Sequence, residues 1–105
     1  MPAAKRLLRR VDRGLVARAA EIIKLLGHRE RLMMLEALEQ GELTVGEICE
    51  LCDLGQAVCS QHLARLRRQG VVACRKEGLN VHYRIVEPKV HHILECIRRC
   101  DLGCR

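Results

Sequence analysis

The spacing of apolar residues changes from that of helices to that of strands after residue 70, and this change constrains the fold more than any other feature. Residues 44–69 read "TVGEICELCDLGQAVCSQHLARLRRQ", two stretches of helical spacing separated by "DLG". Thr44 and Glu47 stand at the spacing of a capping box, which marks a helix start. Residues 71–86 then place β-branched side chains on both sides of "KEGLN", whose Gly and Asn suit a hairpin turn. The sequence therefore predicts two short helices joined by a tight turn and followed by a β-hairpin.

Three further helices are predicted around this unit. Apolar residues at helical spacing run through residues 15–26 and stop at Gly27, and a second pattern runs from residue 28 to the stop at Gly41. Pro88 suits the first turn of a last helix. The predicted fold is mainly α with a β-hairpin wing, a winged helix-turn-helix. We expect one domain over residues 1–105, with a basic arm at 1–12, the helix-turn-helix at 44–69, the wing at 71–86 and the last helix at 87–101.

Composition narrows the class of partner. The formal charge is +6, which favours a polyanion, and the chain has one Tyr and neither Trp nor Phe, which leaves little to stack on unpaired bases. No apolar run approaches the roughly 18 residues of a membrane span, and the basic start lacks the apolar segment of a secretion signal. We therefore expect a cytoplasmic protein with no membrane partner. No Cys/His/Asp arrangement for nucleophilic catalysis is legible, so an enzyme is not expected.

In a winged helix, the second helix of the helix-turn-helix enters the major groove and the hairpin reaches the neighbouring backbone. Helical spacing predicts that Val58, Cys59, Leu63 and Leu66 face inward. The predicted outward, DNA-contacting residues of this helix are Gln56, Ala57, Ser60, Gln61 and Arg65. Phosphate contacts are predicted for Arg67, Arg68, Arg75, Lys76 and Arg84. Double-stranded DNA is the predicted partner.

The order of "LTVGEI", "SQHLARLR", "GVV" and an "R-EG...V-YR" wing resembles the signature of the ArsR/SmtB family of metal-sensing repressors, over about residues 15–100. The resemblance implies a homodimer joined through the first and last helices, which binds operator DNA and is released by an inducer. The apolar stripes that would form the interface are Leu15, Ile22, Ile23, Val90, Ile93 and Ile97.

Family members place sensor residues at several positions, and the resemblance allows each to be compared. The "C-V-C" pair of the third helix reads "TVG" here, at residues 44–46. The last-helix metal set corresponds to Glu87, Lys89, Cys100 and Gly103, and lysine cannot replace an imidazole ligand. The second-helix cysteine of persulfide sensors corresponds to Glu36. None of these three sensor sites is complete.

The tail "ECIRRCDLGCR" carries Cys96, Cys100 and Cys104, three of the seven cysteines. Residues four apart share a helix face, and Gly103 lets the chain turn back. Three thiolates without a fourth ligand suit As(III) or Sb(III), whereas Zn(II) or Cd(II) is less expected because closed zinc sites take four ligands. A thiol-based redox or persulfide sensor of the same fold is the alternative. Cys49, Cys52 and Cys59 are predicted to pack in the core, Cys74 lies on the first hairpin strand, and His28 and His62 are assigned capping or core roles.

Overall fold

The structure is a computed structural model that describes residues 11–100 of the chain. Its elements, in chain order, are α1 (Arg13–Leu26), α2 (Arg29–Leu38), β1 (Leu43–Thr44), α3 (Val45–Cys52), α4 (Gln56–Arg68), β2 (Val72–Glu77), β3 (Asn80–Ile85) and α5 (Pro88–Arg99). Five helices and a hairpin in this order confirm the predicted winged helix-turn-helix. Residues 1–10 of the basic arm and Cys104 lie outside the described residues.

Side chains at the helix starts explain where the helices begin. Asp12 accepts a hydrogen bond from the Leu15 amide (3.0 Å) at the start of α1, and His28 Nδ1 accepts one from the Glu30 amide (3.2 Å) at the start of α2. Thr44 and Glu47 form both bonds of the predicted capping box of α3. These bonds satisfy amides that a helix leaves unpaired in its first turn. At the start of α5, Glu87 accepts from the Lys89 amide (3.1 Å), so the sequence defines the local starts of four of the five helices.

The tight turn of the helix-turn-helix depends on one left-handed residue. Asp53 follows α3 at φ 55° and ψ 51°, and the Leu54 amide donates to the Cys49 carbonyl at 3.1 Å. An aspartate tolerates this conformation better than most side chains. Gly55 then precedes α4 as its N-cap, without a side-chain cap. The three residues between α3 and α4 thus reverse the chain and let the two helices pack.

The wing contains one strand that the sequence analysis missed. Strands β2 and β3 pair antiparallel around Gly78, whose φ of +63° is a conformation that glycine adopts readily. Strand β1 pairs with the other edge of β3, with Leu43 opposite Tyr83 and Thr44 opposite His82, so the sheet order is β1-β3-β2. A strand of two residues shows no alternation, so no periodicity could predict it.

All five helices and the wing contribute to one aliphatic core. The fully buried residues include Met34 and Leu35 of α2, Ile48 of α3, Leu63 and Leu66 of α4, Val71 before β2, and Val90 of α5. Cys52 and Cys59 are also buried, and Cys49 packs against the cluster, as predicted.

One predicted inward residue of α4 is wrong. Val58 keeps 38% of its surface exposed, whereas Cys59 beside it is completely buried. The buried set of α4 is Cys59, Leu63 and Leu66, at spacings of four and three residues, and Val58 falls outside that narrow stripe. Val58 therefore belongs to the exposed side of the helix.

Helices α1 and α5 expose apolar side chains. Leu15, Val16 and Ile23 of α1 and Ile97 of α5 are among the exposed large hydrophobic residues. Ile23 and Ile97 also line one apolar groove between the two helices. Within residues 11–100, no helix is long and apolar enough to cross a membrane.

The rotation of α4 can be tested by a matched pair of truncations. Leu63→Ala removes a fully buried side chain and is expected to lower the free energy of unfolding by about 2–5 kcal/mol. Val58→Ala removes an exposed one and is expected to cost less than about 1 kcal/mol. Chemical denaturation followed by circular dichroism measures both. Equal losses for the two variants would contradict the orientation of α4.

Candidate nucleic-acid interface and thiol sites

Helix α4 presents a continuous exposed face of small, amide and basic side chains. The exposed residues on it are Gln56, Ala57, Val58, Ser60, Gln61, Ala64 and Arg65. Small side chains let the helix axis approach a surface closely, and amides and guanidinium groups match the hydrogen-bonding edges of bases. Sequence reasoning missed Val58 here, an apolar group of the kind that contacts thymine methyls. The face has the chemistry of a helix that reads a major groove.

A polar network holds α4 against α2 and α1. The Arg31 guanidinium donates to the Leu25 carbonyl (2.8 Å) and, through Nε, to His62 Nδ1 (3.3 Å), and His62 Nε2 donates to Glu30 Oε1 (2.9 Å). Burial, and secondarily the nearby charge of Arg65, lower the pKa of Arg31. The network fixes the rotation of α4 about its axis, because His62 lies on that helix.

The same network places three potential metal ligands together. One ligand atom from each of His28, Glu30 and His62 lies within 4.8 Å of the others. However, both imidazoles already accept a hydrogen bond at Nδ1, from a backbone amide and from Arg31, so their neutral forms carry the proton on Nε2. An ion would have to displace the helix cap and the Arg31 bond. The trio therefore fits capping and positioning roles, in line with the roles predicted for His28 and His62.

The basic residues predicted to meet phosphates fall into two groups. Arg65, Arg67, Arg68 and Lys76 are exposed and have no carboxylate within ion-pair distance among residues 11–100. Arg75 instead pairs with Glu42 at 2.8 Å and Glu77 at 3.4 Å, and Arg84 lies 3.7 Å from Glu42.

Glu42 therefore pairs with both wing arginines, Arg75 and Arg84, for which phosphate contacts were predicted. The hydrogen bond between Glu42 and Arg75 raises the pKa of the arginine and lowers that of the carboxyl. This carboxylate precedes β1, so it also joins the third strand to the hairpin. The basic residues without a carboxylate partner, such as Arg67 and Lys76, are better placed than Arg75 to contact a phosphate directly.

The tail thiols lie on the exposed side of α5. Cys96 and Cys100 are both exposed and line one shallow groove with His92, Glu95 and Arg99. Helix α5 ends at Arg99, and the Cys100 amide donates to the Cys96 carbonyl at 3.0 Å, with Cys100 itself extended. Cys104 lies outside the described residues.

Two arginines next to these thiols are engaged by carboxylates. Arg98 pairs with Glu36 at 2.7 Å and also with Glu39, both at the end of α2, and Arg99 pairs with Glu95 at 3.0 Å. Glu39 also meets His91 Nδ1 at 2.7 Å. Burial opposes ionisation of Glu39, but these bonds hold its pKa below the ordinary value. The pairs of Arg98 and His91 tie α5 to α2.

A second group of thiols lies between α3 and α4. Cys52 and Cys59 are buried and Cys49 is half-buried, and all three belong to or pack against the aliphatic core. Burial, followed by the neighbouring Cys49 side chain, raises the pKa of the Cys59 thiol to about 12. Burial also raises the pKa of Cys52. Packing was the predicted role, and the burial of these side chains in the core agrees with it.

Comparison with known proteins adds the family. Residues 28–73 match the bacterial regulatory proteins of the arsR family. The chain is 39% identical over 83 residues to the transcriptional activator HlyU of Vibrio cholerae, covering 79% of this chain and 77% of HlyU. It is 39% identical over 78 residues to the biofilm growth-associated repressor of Agrobacterium fabrum, covering 74% of this chain and 67% of that repressor.

Solved structures agree with these sequence matches. Reduced HlyU from Vibrio cholerae superimposes with a TM-score of 0.78 at 37% identity, over 88% of this chain and 95% of that chain. A homodimeric winged helix-turn-helix DNA-binding domain from Mycobacterium bovis gives 0.73 at 30% identity, over 85% and 84%. These relatives are transcriptional regulators, which confirms that the chain is not an enzyme. The chain belongs to the arsR family of DNA-binding transcriptional regulators.

Proposed function

We propose that this regulator is a homodimeric repressor that holds operator DNA in its ligand-free form and releases it when As(III) or Sb(III) binds Cys96, Cys100 and Cys104. The observation that carries the proposal is the exposure of Cys96 and Cys100 in one groove at the end of α5. The described residues support the DNA contact, the dimer and two of the three proposed ligands, whereas Cys104 lies outside them.

The exposed face of α4 supports DNA reading. Gln56, Ser60 and Gln61 present amide and hydroxyl groups for base edges, with Ala57 and Val58 leaving room for close approach. Arg65 of this face, Arg67 at the end of α4 and Lys76 of the wing are the proposed phosphate contacts, because no carboxylate among residues 11–100 pairs with them. Arg75 contributes only when phosphate displaces Glu42.

The exposed apolar surface of α1 and α5 supports the homodimer. Leu15, Val16 and Ile23 with Ile97 leave a hydrophobic surface that a second copy would cover. The related domain from Mycobacterium bovis is described as homodimeric. A twofold dimer presents two α4 helices to half-sites about 34 Å apart on one side of the duplex.

Thiol chemistry supports the choice of inducer. Trivalent arsenic and antimony prefer soft sulfur donors, and the tail offers three of them. Cys96 and Cys100 are reachable from solvent, so an ion needs no opening of the core to bind them. Arg98 is occupied by carboxylates of α2, so it does not itself hold the thiolates.

Two sets of polar contacts give a route from the tail to α4. Arg98 and His91 of α5 bond to Glu39 of α2, and Glu30 and Arg31 of α2 bond to His62 of α4. An ion that moves the end of α5 would shift α2 and, through it, the helix that reads DNA. By linkage, DNA and ion then weaken each other's binding by the same factor.

A thiol-based redox or persulfide-responsive repressor is the second candidate. The observation that favours it is the presence of two exposed cysteines one turn apart, together with a relative, HlyU, described in a reduced form. Against it, Glu36 stands at the second-helix position where the resemblance to persulfide sensors expects a cysteine, and it is engaged by Arg98. Any bridge would have to form within the tail.

Phosphate contact by Arg67 can be measured through the salt dependence of binding. A duplex selected from a random library by the full-length protein serves as the probe. We expect Arg67→Gln to flatten the slope of log affinity against log salt by about 0.9 for each lost contact, because fewer counterions are released. Lys89→Gln removes an exposed charge of α5 and is the matched control, expected to leave the slope unchanged. Equal slopes for wild type and Arg67→Gln would contradict the contact.

The inducer proposal is tested by arsenite release of the same probe, followed by fluorescence anisotropy. We expect the triple variant Cys96→Ser, Cys100→Ser and Cys104→Ser to bind the probe with wild-type affinity. The arsenite concentration that releases it is expected to be at least about tenfold higher than for the wild type. Cys74→Ser, on β2, is the matched control and should respond like the wild type. Release of the triple variant at the wild-type arsenite concentration would show that the tail is not the sensor.

The redox alternative predicts a different response in the same assay. A persulfide or disulfide switch would release the probe on addition of polysulfide or peroxide, with a change in protein mass that a reductant reverses. The arsenite response of the proposed site requires no oxidant. Release by polysulfide together with insensitivity to arsenite would replace the first proposal with the second.

A further inference from the structure

A polar pocket lies where α1, α2 and the end of α4 meet. Its volume is about 290 Å³, and the residues that line it are Glu21, Lys24, Leu25, Arg31, Arg65 and Gln69. The groove of the tail thiols, on α5, shares no residue with this pocket. The α1–α2–α4 pocket is therefore separate from the proposed inducer site.

The innermost charged side chain of the pocket is Arg31, which is 9% exposed. Its Nη1 donates to the Leu25 carbonyl at 2.8 Å and its Nε donates to His62 Nδ1 at 3.3 Å, so two bonds fix the guanidinium in place. The remaining nitrogen, Nη2, has no hydrogen-bond partner among residues 11–100, yet no buried side-chain nitrogen of that range is left unsatisfied. Nη2 therefore keeps contact with solvent and is open to a ligand in the pocket.

The protein does not balance the charge of this pocket from within. Its cations are Lys24, Arg31 and Arg65, and no carboxylate among residues 11–100 lies within ion-pair distance of any of them. The one carboxylate of the lining, Glu21, lies 4.0 Å from Arg18. Three cations and one carboxylate leave an excess of two positive charges.

Burial makes this excess costly at Arg31. Both of its hydrogen-bond acceptors, the Leu25 carbonyl and the neutral His62 ring, carry no negative charge. Burial, followed by the nearby charge of Arg65, lowers the pKa of Arg31. A buried charge is tolerated best when an opposite charge pairs with it, so an anion in the pocket would be stabilised.

The pocket is also held in shape before any ligand binds. Arg18 Nη2 of α1 donates to the Gln69 carbonyl, at the end of α4, at 3.2 Å. Together with the bonds of Arg31, this contact fixes the three helices that form the walls. A preformed site avoids the entropy cost of ordering its walls around a ligand.

We propose that the α1–α2–α4 pocket binds a phosphate group, held by Arg31 Nη2 at its inner end and by Arg65 and Lys24 at its rim. Guanidinium groups present paired N–H donors to phosphate oxygens, and an ammonium group adds a point charge. Free phosphate as a dianion matches the excess of two positive charges. Arg65 also belongs to the proposed DNA face, so a phosphate of the DNA backbone is the other source of the same group.

The first experiment titrates the full-length chain with inorganic phosphate at constant ionic strength, without DNA. Isothermal titration calorimetry measures the affinity, with chloride as the reference anion, and NMR of the arginine side chains locates the ligand. We expect saturable binding of phosphate and a shift of the Arg31 Nε–H resonance. Because no DNA is present, this result does not depend on the proposed operator binding.

Two rim variants change the charge of the pocket in opposite directions. We expect Lys24→Gln to weaken phosphate binding and Glu21→Gln to strengthen it, each by about fivefold, which is the scale of one unit charge at contact distance in water. Lys89→Gln, on α5, is the matched control and should bind phosphate like the wild type. Arg31 is left intact, because its loss would break its bonds to α1 and α4. General damage to the fold would weaken binding in both rim variants.

The duplex selected by the protein separates the two sources of phosphate. If the DNA backbone fills the pocket, Lys24→Gln flattens the slope of log affinity against log salt by about 0.9, and Lys89→Gln leaves it unchanged. An unchanged slope for Lys24→Gln, together with phosphate binding in the first experiment, assigns the pocket to a free anion. The slope measurement rests on the proposed DNA binding, which Arg67→Gln tests at a residue outside the pocket.

The proposal is overturned when an unchanged salt slope for Lys24→Gln is joined by either of two results. One is the absence of saturable phosphate binding to the folded wild-type chain. The other is phosphate binding that neither Lys24→Gln nor Glu21→Gln alters, because the anion would then lie elsewhere on the protein.

Discussion

One buried guanidinium joins the three helices on which the rest of the structure depends. Arg31 is 9% exposed and donates to the backbone of α1 at Leu25 and to His62 of α4, while its own helix is α2. A buried charge is tolerated only when it is hydrogen-bonded, so the positions of these acceptors are tightly constrained. The exposed face of α4 is oriented by this requirement together with the burial of Leu63 and Leu66.

A second constraint couples α5, which carries the tail thiols, to α4, which carries the proposed DNA face. His91 and Arg98 of α5 both bond to the carboxylate of Glu39, at the end of α2. Helix α2 reaches α4 through Glu30 and Arg31. The helix that carries the tail thiols and the helix that carries the DNA face thus both contact α2. A movement of either one has to be accommodated by the other, which is the physical basis of the proposed release.

The residues predicted to contact DNA show where sequence reasoning succeeds and where it stops. The outward residues Gln56, Ser60 and Gln61 followed from helical spacing alone, because a 3.6-residue period separates two sides of a helix. Val58 was misplaced because it lies at the border of the buried stripe, where its position depends on how α4 rotates against α2. Arg75 was predicted to meet phosphate, but Glu42 lies 33 residues earlier in the chain and its pairing with Arg75 follows only from the sheet.

The amino-acid order alone determines the element types, the capping box of Thr44, the hairpin turn at Gly78 and the family signature, because all of these depend on neighbours within a few residues. Tertiary structure decides the third strand, the network around Arg31 and the pairing of Glu42 with Arg75. These features join residues distant in the chain, and their distances depend on how the helices pack. No local period encodes that packing, so only the folded structure shows which of these distant residues meet.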